Sequence, residues 1–148
     1  MQKTALNFDW HFKSGFDEND VVHPISAQSV NLPHTVETLS KNYFDESLTQ
    51  GLFTYQKAFT YELEENHRLF IEFEGVMSKA DIYLNGEHLK HHVGWYTAFK
   101  VELTDALDKE NLLTVKVDSR ETPDHPPFGN VIDYLTYGGI YREVSLIE

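Results

Sequence analysis

Apolar side chains recur at every second position along most of this chain, and this period-two pattern restricts the fold more than any other feature. Leu69, Ile71 and Phe73 share one parity in "HRLFIEFEG", whereas Glu72 and Glu74 lie on the other. An earlier segment, "LFTYQKAFTYEL", places six residues on one parity: Phe53, Tyr55, Lys57, Phe59, Tyr61 and Leu63. Because successive side chains of a strand point to opposite faces of a sheet, both segments are predicted to be half-buried antiparallel strands.

The alternation continues through a predicted hairpin and two later strands. "ADIYLNGEHL" turns at Asn85 and Gly86, and Asn-Gly readily adopts the positive φ angles of a type I′ turn. "TAFKVELT" and "LLTVKVD" alternate again, and Thr104 between them is predicted to cap a short helical turn. No segment of about 12 residues has the period of an amphipathic helix, which disfavours a parallel sheet with helical crossovers. The pattern therefore predicts an all-β sandwich.

Length, charge and cysteine content restrict which partners the chain can bind and where in the cell it is expected. The 148 residues suit one domain, 1–148, and the 12 basic against 24 acidic residues give a formal charge of -12. This charge repels nucleic-acid phosphates and anionic lipid, so neither nucleic acid nor a membrane is an expected partner. The absence of cysteine excludes disulfides and thiol catalysis. Since the N-terminal segment lacks an apolar signal region, we expect a cytoplasmic location.

Candidate metal and nucleophile motifs are weak. His88, His91 and His92 lie close together in "HLKHH", and on a regular strand His88 and His92 would share a face. Zinc requires further ligands in a fixed shell, so these histidines are interpreted as solvated hairpin residues and no metal site is expected. No G-x-S-x-G elbow and no phosphate-binding glycine loop occurs. We therefore predict no catalytic residue and no cofactor.

Three aromatic residues, Trp10, Trp95 and Tyr96, have two interpretations. Their rings could stack on the C–H face of a sugar, or they could pack in the core of a sandwich. Ordinary burial of aromatic residues favours the core for both tryptophans.

Asp133 lies in the unusual segment "GNVIDYLTYGGIYREVSL", which follows a proline-rich stretch. An ionised carboxylate among Val131, Ile132, Tyr134 and Leu135 is costly unless it finds hydrogen-bond donors. One interpretation is structural, with Asp133 in a turn or paired with an arginine such as Arg142. The alternative is a loop carboxylate that accepts hydrogen bonds from the hydroxyl groups of a ligand.

Several segments taken in order resemble the N-terminal sugar-binding domain of glycoside hydrolase family 2. These are "NFDWHFKSG", "VNLPHT", "GLFTYQKAF", "LFIEFEGVMSKADIYLNGEHL", "GWYTAFKVELT", "NLLTVKVD" and "DYLTYGGIYREVSL", and together they cover the chain from about Leu6 to Ile147. The family includes β-galactosidases, β-glucuronidases and β-mannosidases. The resemblance implies a jelly-roll sandwich of the galactose-binding-domain type, in agreement with the strand pattern.

The resemblance also implies what this domain does. In the family, two glutamates on a (β/α)8 barrel perform catalysis after an immunoglobulin-like domain, and neither domain fits in 148 residues. The chain is therefore expected to be the N-terminal fragment of a longer multidomain enzyme, inactive alone, with those two domains as its partners in the same chain. The oligomeric state of the full-length protein stays open.

Asp133 occupies the position, just before a small-Gly-Ile run, at which family members lend an aspartate to the substrate pocket. The resemblance thus implies that Asp133 binds a carbohydrate substrate, a β-galactoside or a β-glucuronide, through its hydroxyl groups, and that this aspartate does not discriminate between the two; a β-galactosidase domain is the first hypothesis. Some β-galactosidases also contribute an asparagine, but Leu48 is the nearest match here and Asn42 lies further away. A β-glucuronidase domain, a free-standing carbohydrate-binding module and a purely structural jelly roll are the alternatives.

Overall fold

The computed structural model describes residues 1–36, 50–120, 122 and 138–148. These residues contain ten β-strands: β1 (Lys3–Ala5), β2 (Trp10–Ser14), β3 (Gln28–Val30), β4 (Leu52–Thr60), β5 (Phe70–Phe73), β6 (Lys79–Leu84), β7 (Glu87–Val93), β8 (Phe99–Glu102), β9 (Glu110–Asp118) and β10 (Val144–Ile147). Two 3-10 turns, Glu18–Val21 and Thr104–Ala106, are the helical elements of the described part. Neither has the length or the apolar character needed to cross a bilayer.

The strands form two antiparallel sheets. One sheet has the order β1-β10-β5-β8, and the other has the order β3-β2-β4-β9-β6-β7. Buried side chains from both sheets, such as Ile71 and Phe73 of β5 and Val115 of β9, belong to a single hydrophobic cluster. This arrangement confirms the predicted all-β sandwich.

Alternation describes β5 well but describes β4 only in part. In β5, Ile71 and Phe73 are buried, as the pattern predicts. In β4, Phe53 and Tyr55 are buried on one parity, but Thr54 and Gln56 on the other parity are buried as well. The first half of β4 is therefore covered on both faces, even though its sequence alternates.

A segment between β2 and β3 covers the outer face of β4 through polar contacts. Gln56 Oε1 accepts a hydrogen bond from the Ile25 N–H at 2.9 Å, and Gln56 Nε2 donates to the carbonyls of Asp20 and His23 at 2.8 and 2.9 Å. Thr54 Oγ1 donates to the Gly15 carbonyl at 2.6 Å. Because these buried polar groups satisfy one another, their hydrogen bonds offset the cost of removing the polar face of the strand from water.

The predicted Asn-Gly turn is confirmed. Asn85 and Gly86 have φ angles of 52° and 89° and join β6 to β7. The predicted helix cap at Thr104 is wrong, because the turn has no side-chain cap and begins after Leu103. Thr104 Oγ1 instead accepts a hydrogen bond from the Leu69 N–H at 3.1 Å, so the threonine ties the turn to the start of β5.

Candidate functional site

Asp133, Asn42 and Leu48 all lie outside the described residues. The predicted sugar contact of Asp133, and its alternative pairing with Arg142, therefore stay predictions. The structure does describe residues 138–140, where the chain leaves the Asp133 segment. We call these three residues, Gly138, Gly139 and Ile140, the stem.

The stem is fixed to the sandwich by backbone hydrogen bonds. Gly139 and Met77 form an isolated antiparallel bridge, with the Met77 N–H donating to the Gly139 carbonyl at 3.0 Å and the reverse bond at 3.2 Å. Gly138 and Gly139 have φ angles of 67° and 94°, in the left-handed region that favours glycine. The two adjacent glycines thus serve backbone geometry at the stem, as expected of a turn beside a strand.

His34 and Tyr55 hold the other side of the stem, and we call them the His34–Tyr55 node. The His34 N–H donates to the Ile140 carbonyl at 2.8 Å, and the Tyr55 hydroxyl lies 2.7 Å from His34 Nδ1. Both rings pack on Phe12, with centroid separations of 4.7 Å for His34 and 4.9 Å for Tyr55. The node therefore joins three parts of the chain: residues 31–36, the centre of β4 and the stem.

Burial sets the protonation of both members of the node. Tyr55 is fully buried, and this burial raises the pKa of its hydroxyl above the ordinary range, against a weaker opposing effect of a backbone hydrogen bond from Ile140. Partial burial lowers the pKa of the His34 imidazole. Both side chains are therefore neutral at neutral pH.

An aromatic corner lies next to the stem, formed by Trp95, Tyr96, Tyr141 and Arg142. The Tyr141 hydroxyl donates to the Trp95 carbonyl, and the rings of Tyr96 and Tyr141 meet edge to face at 6.4 Å. Arg142 places its guanidinium carbon 5.7 Å from the centroid of the Tyr141 ring. Tyr96 is 61% exposed and Trp95 is half-buried, so a stacking role remains open for both, against the core interpretation of Trp95.

Trp10 belongs to the core, as the burial argument predicts. It is completely buried, and its indole N–H donates to the Leu6 carbonyl at 2.7 Å. This contact satisfies the one polar group of the side chain. Trp10 is therefore not available to a ligand.

A groove of about 800 Å³ lies beside the node and is lined in part by Phe12, the ring on which His34 and Tyr55 both pack. Its lining combines apolar side chains, among them Phe53 and Val36, with the amide groups of Gln28 and Gln50 and the charged groups of Lys13 and Arg120. Ligand pockets of this size typically pair apolar walls with a few polar groups. The groove therefore places aromatic rings beside amide and cationic side chains, close to the first half of β4.

The hairpin histidines are arranged differently from the expectation for a regular strand. A register shift between Ile82 and Tyr83 places His88 and His91, instead of His88 and His92, around the same carboxylate. Asp81 Oδ1 accepts hydrogen bonds from His88 Nε2 at 2.9 Å and from His91 Nδ1 at 2.8 Å. His92 stacks on Phe99 at 3.9 Å. His88 and His91 are exposed, in agreement with the interpretation as solvated hairpin residues.

Glu64, His67 and Glu148 form the one group within the described ranges whose ligand atoms lie close enough to hold a metal ion. His67 Nδ1 is already 2.7 Å from Glu148 Oε1, and the Tyr61 hydroxyl donates to Glu148 Oε2 at 2.5 Å. Glu64 is exposed, and its contact with His67 is longer, at 3.8 Å. These hydrogen bonds and ion pairs are sufficient to explain why the three side chains lie together.

Sequence reasoning missed His34 and Tyr55 as contacts of the stem. Both occur inside segments that match the family, "VNLPHT" and "GLFTYQKAF", but the pairing of residues so far apart follows only from the sheet order. The strand alternation predicts only an ordinary core position for Tyr55. The predicted burial of Tyr55 is the one available signal in the sequence, because a buried tyrosine hydroxyl requires a hydrogen-bond partner.

Comparisons with known proteins agree with one another. A family model described as glycosyl hydrolase 2 galactose-binding domain-like matches residues 10–126. The chain is 46% identical over 149 residues to a β-galactosidase of Thermoanaerobacterium thermosulfurigenes, covering 95% of this chain and 20% of that protein. It is 33% identical over 151 residues to a β-glucuronidase of Bacteroides fragilis, covering 99% of this chain and 20% of that protein.

A solved structure gives the same result for the fold. A calcium-binding mutant of Bacteroides uniformis β-glucuronidase 2 matches with a TM-score of 0.83 at 29% identity, covering 98% of this chain and 18% of that chain. The present chain thus spans about a fifth of the length of the curated relatives it matches.

Proposed function

Because the chain belongs to the glycosyl hydrolase 2 galactose-binding domain-like family, we propose that it is the N-terminal, non-catalytic sugar-binding domain of a β-galactosidase. The observation that carries this proposal is the 46% identity to a β-galactosidase over 95% of the chain. Bond cleavage then belongs to a (β/α)8 barrel elsewhere in the full-length protein. A cytoplasmic location remains a prediction from sequence.

Asp133 is the residue that we propose contacts the substrate. A carboxylate can accept hydrogen bonds from two sugar hydroxyls, and such contacts orient the ring instead of breaking a bond. The described stem supports this role, since the bridge to Met77 and the bond to His34 hold residues 139 and 140 in fixed positions.

The test is Asp133→Ala in the full-length protein, with kcat/KM for an aryl β-galactoside as the readout. We expect a loss of roughly 1 to 3 kcal/mol of transition-state stabilisation, the range for hydrogen bonds to a charged group. Asp124→Ala, which removes another carboxylate from the same proline-rich region, is the matched control and should change kcat/KM little. Unchanged turnover and affinity in the Asp133 variant would overturn the proposed contact.

A β-glucuronidase domain is the second candidate. The identity of 33% over 99% of the chain to a β-glucuronidase and the match to a second β-glucuronidase at a TM-score of 0.83 favour it specifically. The full-length protein should be assayed on matched aryl β-galactoside and aryl β-glucuronide substrates. A higher kcat/KM for the glucuronide would replace our first assignment by the second.

Sugar binding by the isolated chain separates a domain of an enzyme from a free-standing module. Amide NMR of the 148-residue chain, titrated with galactose, glucuronate and mannose, reports on every region at once. If Asp133 completes a pocket whose other walls lie in further domains, we expect a folded spectrum and no saturable shifts. Saturable shifts with one sugar would favour a module that binds carbohydrate by itself.

A further inference from the structure

We propose that the aromatic corner is a docking surface for another domain of the full-length protein, and that this domain offers a carboxylate to Arg142 and an apolar side chain to Tyr96. This inference rests on the proposed function, since a free-standing module of 148 residues would have no further domain to dock. All four residues of the aromatic corner lie within the described part of the chain.

The aromatic corner joins two loops that are fixed to one another. Residues 94–98 connect β7 to β8, and Tyr141 and Arg142 lie between the stem and β10. The Tyr141 hydroxyl donates to the Trp95 carbonyl, and its ring lies so close to Gly75 that a β-carbon at position 75 would come within 2.9 Å of Tyr141 Cζ. Because these contacts hold the Tyr141 ring in place, the aromatic corner is preorganised and loses little side-chain entropy when a partner binds.

The aromatic corner leaves apolar surface exposed. Tyr96 is 61% exposed, and Val93, three positions earlier in the chain, is 37% exposed. These are two of the five large apolar residues that the described part of the chain exposes, and the other three, Met1, Phe8 and Val22, lie in separate segments. Trp, Tyr and Arg are the residue types most enriched among those that dominate the energy of protein interfaces. The composition of the aromatic corner is therefore typical of an interface.

The charge of the aromatic corner comes from Arg142, which forms no ion pair with a described residue. The chain has three arginines, and the other two, Arg68 and Arg120, each donate two hydrogen bonds to a carboxylate of the domain. Arg142 is exposed and instead places its guanidinium carbon 5.7 Å from the centroid of the Tyr141 ring. A guanidinium matches the geometry of a carboxylate with two parallel hydrogen bonds. The missing partner of Arg142 is therefore an acidic group.

Another domain of the same protein fits the aromatic corner better than a second copy or a saccharide does. The chain covers 20% of each of two curated relatives, so most of such a protein lies outside this domain. The net charge of -12 disfavours a second copy of the chain, because two such surfaces repel one another. Small-molecule sites are concave, but the grooves of about 570 and 800 Å³ are both lined by described residues outside the aromatic corner.

Photo-crosslinking of the full-length protein identifies the occupant directly. A p-benzoylphenylalanine at position 96 forms a bond to a neighbouring C–H carbon on irradiation, and mass spectrometry of the digest locates that carbon. We expect a crosslink within one polypeptide, to a peptide beyond residue 148. The same group at position 8, where Phe8 is 67% exposed outside the aromatic corner, gives the background yield. A crosslink between two polypeptides, or a yield at position 96 no higher than this background, overturns the proposal.

Limited proteolysis tests the chemistry of the contact. Cleavage of the segment that follows this domain in the full-length protein tracks the population in which the domain is undocked. Loss of a residue that dominates an interface raises such a population about tenfold, so Tyr96→Ala and Arg142→Gln should each raise the cleavage rate about tenfold. Arg142→Glu should raise it further, because like charges repel. Equal rates for the two Arg142 variants would show that Arg142 does not meet a carboxylate and would overturn the proposal.

Arg68→Gln is the matched control for the Arg142 variants. It also removes an exposed guanidinium, but Arg68 has its carboxylate partner, Glu102, within the domain. The cleavage rate of this variant should equal that of the wild type. A rise as large as that of Arg142→Gln would show that the loss of any exposed arginine loosens the protein, and the docking role of Arg142 would fail.

Enzyme assays separate the failure of this inference from the failure of the proposed function. If the full-length protein hydrolyses an aryl β-galactoside but gives no crosslink from position 96, the docking proposal fails and the proposed function stands. If it hydrolyses neither this substrate nor the matched glucuronide, the proposed function fails, whereas a crosslink within the polypeptide still supports docking. If Tyr96→Ala and Arg142→Gln raise KM for either substrate without changing the cleavage rate, the aromatic corner contacts the substrate, which overturns the docking proposal.

Discussion

Gly139 lies so close to the hydroxyl of Tyr55 that a β-carbon at position 139 would come within 2.5 Å of that oxygen. The same β-carbon would lie 3.0 Å from the His34 carbonyl, and the residue has a φ of 94°. The stem thus has room for glycine and for no larger residue. This relationship makes the stem sensitive to the smallest possible substitution.

Gly139→Ala is expected to destabilise the fold in two ways. Any alanine at a positive φ costs roughly 1 to 2 kcal/mol, and overpacking against Tyr55 and His34 should add roughly 1 to 3 kcal/mol. Gly15→Ala is the matched control, since Gly15 has a φ of 86° but no atom within 4 Å of the place that an alanine β-carbon would occupy. Urea unfolding of both variants measures the two costs separately. Equal losses would show that the space around Gly139 does not matter.

A double mutant tests whether the Tyr55 hydroxyl is the group that a β-carbon at position 139 would clash with. Tyr55→Phe removes the oxygen nearest to the added methyl group, so Gly139→Ala should cost less in a Tyr55→Phe background than in the wild type. The comparison is again the free energy of unfolding in urea. A cost that is unchanged in the Tyr55→Phe background would place the strain elsewhere.

The sequence predicts the strands better than it predicts what surrounds them. Alternation identifies β5 and the Asn-Gly hairpin because local rules decide both, namely the period of a strand and the positive φ of the turn. The burial of Thr54 and Gln56 could not be predicted in this way. It depends on a distant segment, residues 15–25, whose contacts follow from the tertiary fold and leave no periodic signal.

In the candidate site, too, features set by local backbone rules are predictable from the sequence, and features set by tertiary contacts are not. The two glycines of the stem are backbone features, as their pattern predicts, because positive φ is a local property of the chain. His34 and Tyr55 escape sequence reasoning since they lie 21 residues apart and meet only through the sandwich. The role of Asp133 comes from the family resemblance and is not decided by the described residues.

Gln56→Leu should test how firmly the outer segment is attached. Leucine has a similar volume but leaves the buried Ile25 N–H and the partly buried His23 carbonyl without their present partner, and an unsatisfied buried polar group costs roughly 1 to 3 kcal/mol. We expect a total loss of about 2 to 4 kcal/mol, with faster hydrogen exchange at the Ile25 amide. Gln28→Leu, at an exposed position of β3, is the control. Unchanged exchange at Ile25 would contradict the proposed anchoring.

Asn85 combines a turn conformation with three side-chain hydrogen bonds, and two substitutions separate these contributions. Its Oδ1 accepts from the Leu112 N–H at 2.9 Å, and its Nδ2 donates to the Ala106 carbonyl and to Asn111 Oδ1, both at 3.0 Å. Asn85→Gly keeps the positive φ and loses the bonds, whereas Asn85→Ala loses both. We expect Asn85→Ala to be less stable than Asn85→Gly by roughly 1 kcal/mol in thermal or urea unfolding. Equal stability of the two variants would show that φ contributes nothing at this turn.

Asp81 should make the stability of the hairpin depend on pH. Partial burial raises the pKa of its carboxyl, but hydrogen bonds and charge from His88 and His91 outweigh burial, so the pKa lies below its ordinary value of 3.8. The folded state therefore holds this proton less tightly than the unfolded state does. Its contribution to stability is fully present above the unfolded pKa and is lost as the pH falls through the folded pKa.

The corresponding experiment compares Asp81→Asn with the wild type by urea unfolding at pH 6, at about pH 4 and at about pH 3. We expect the variant to be less stable at pH 6 and the difference to shrink as the pH falls below the unfolded-state pKa of about 3.8, because the unfolded state then takes up the proton first. Asp108→Asn, at an exposed position with no ion pair among the described residues, should show no such convergence. A difference for Asp81→Asn that stays constant from pH 6 to pH 3 would mean that the contacts with His88 and His91 do not depend on the charge of the carboxylate.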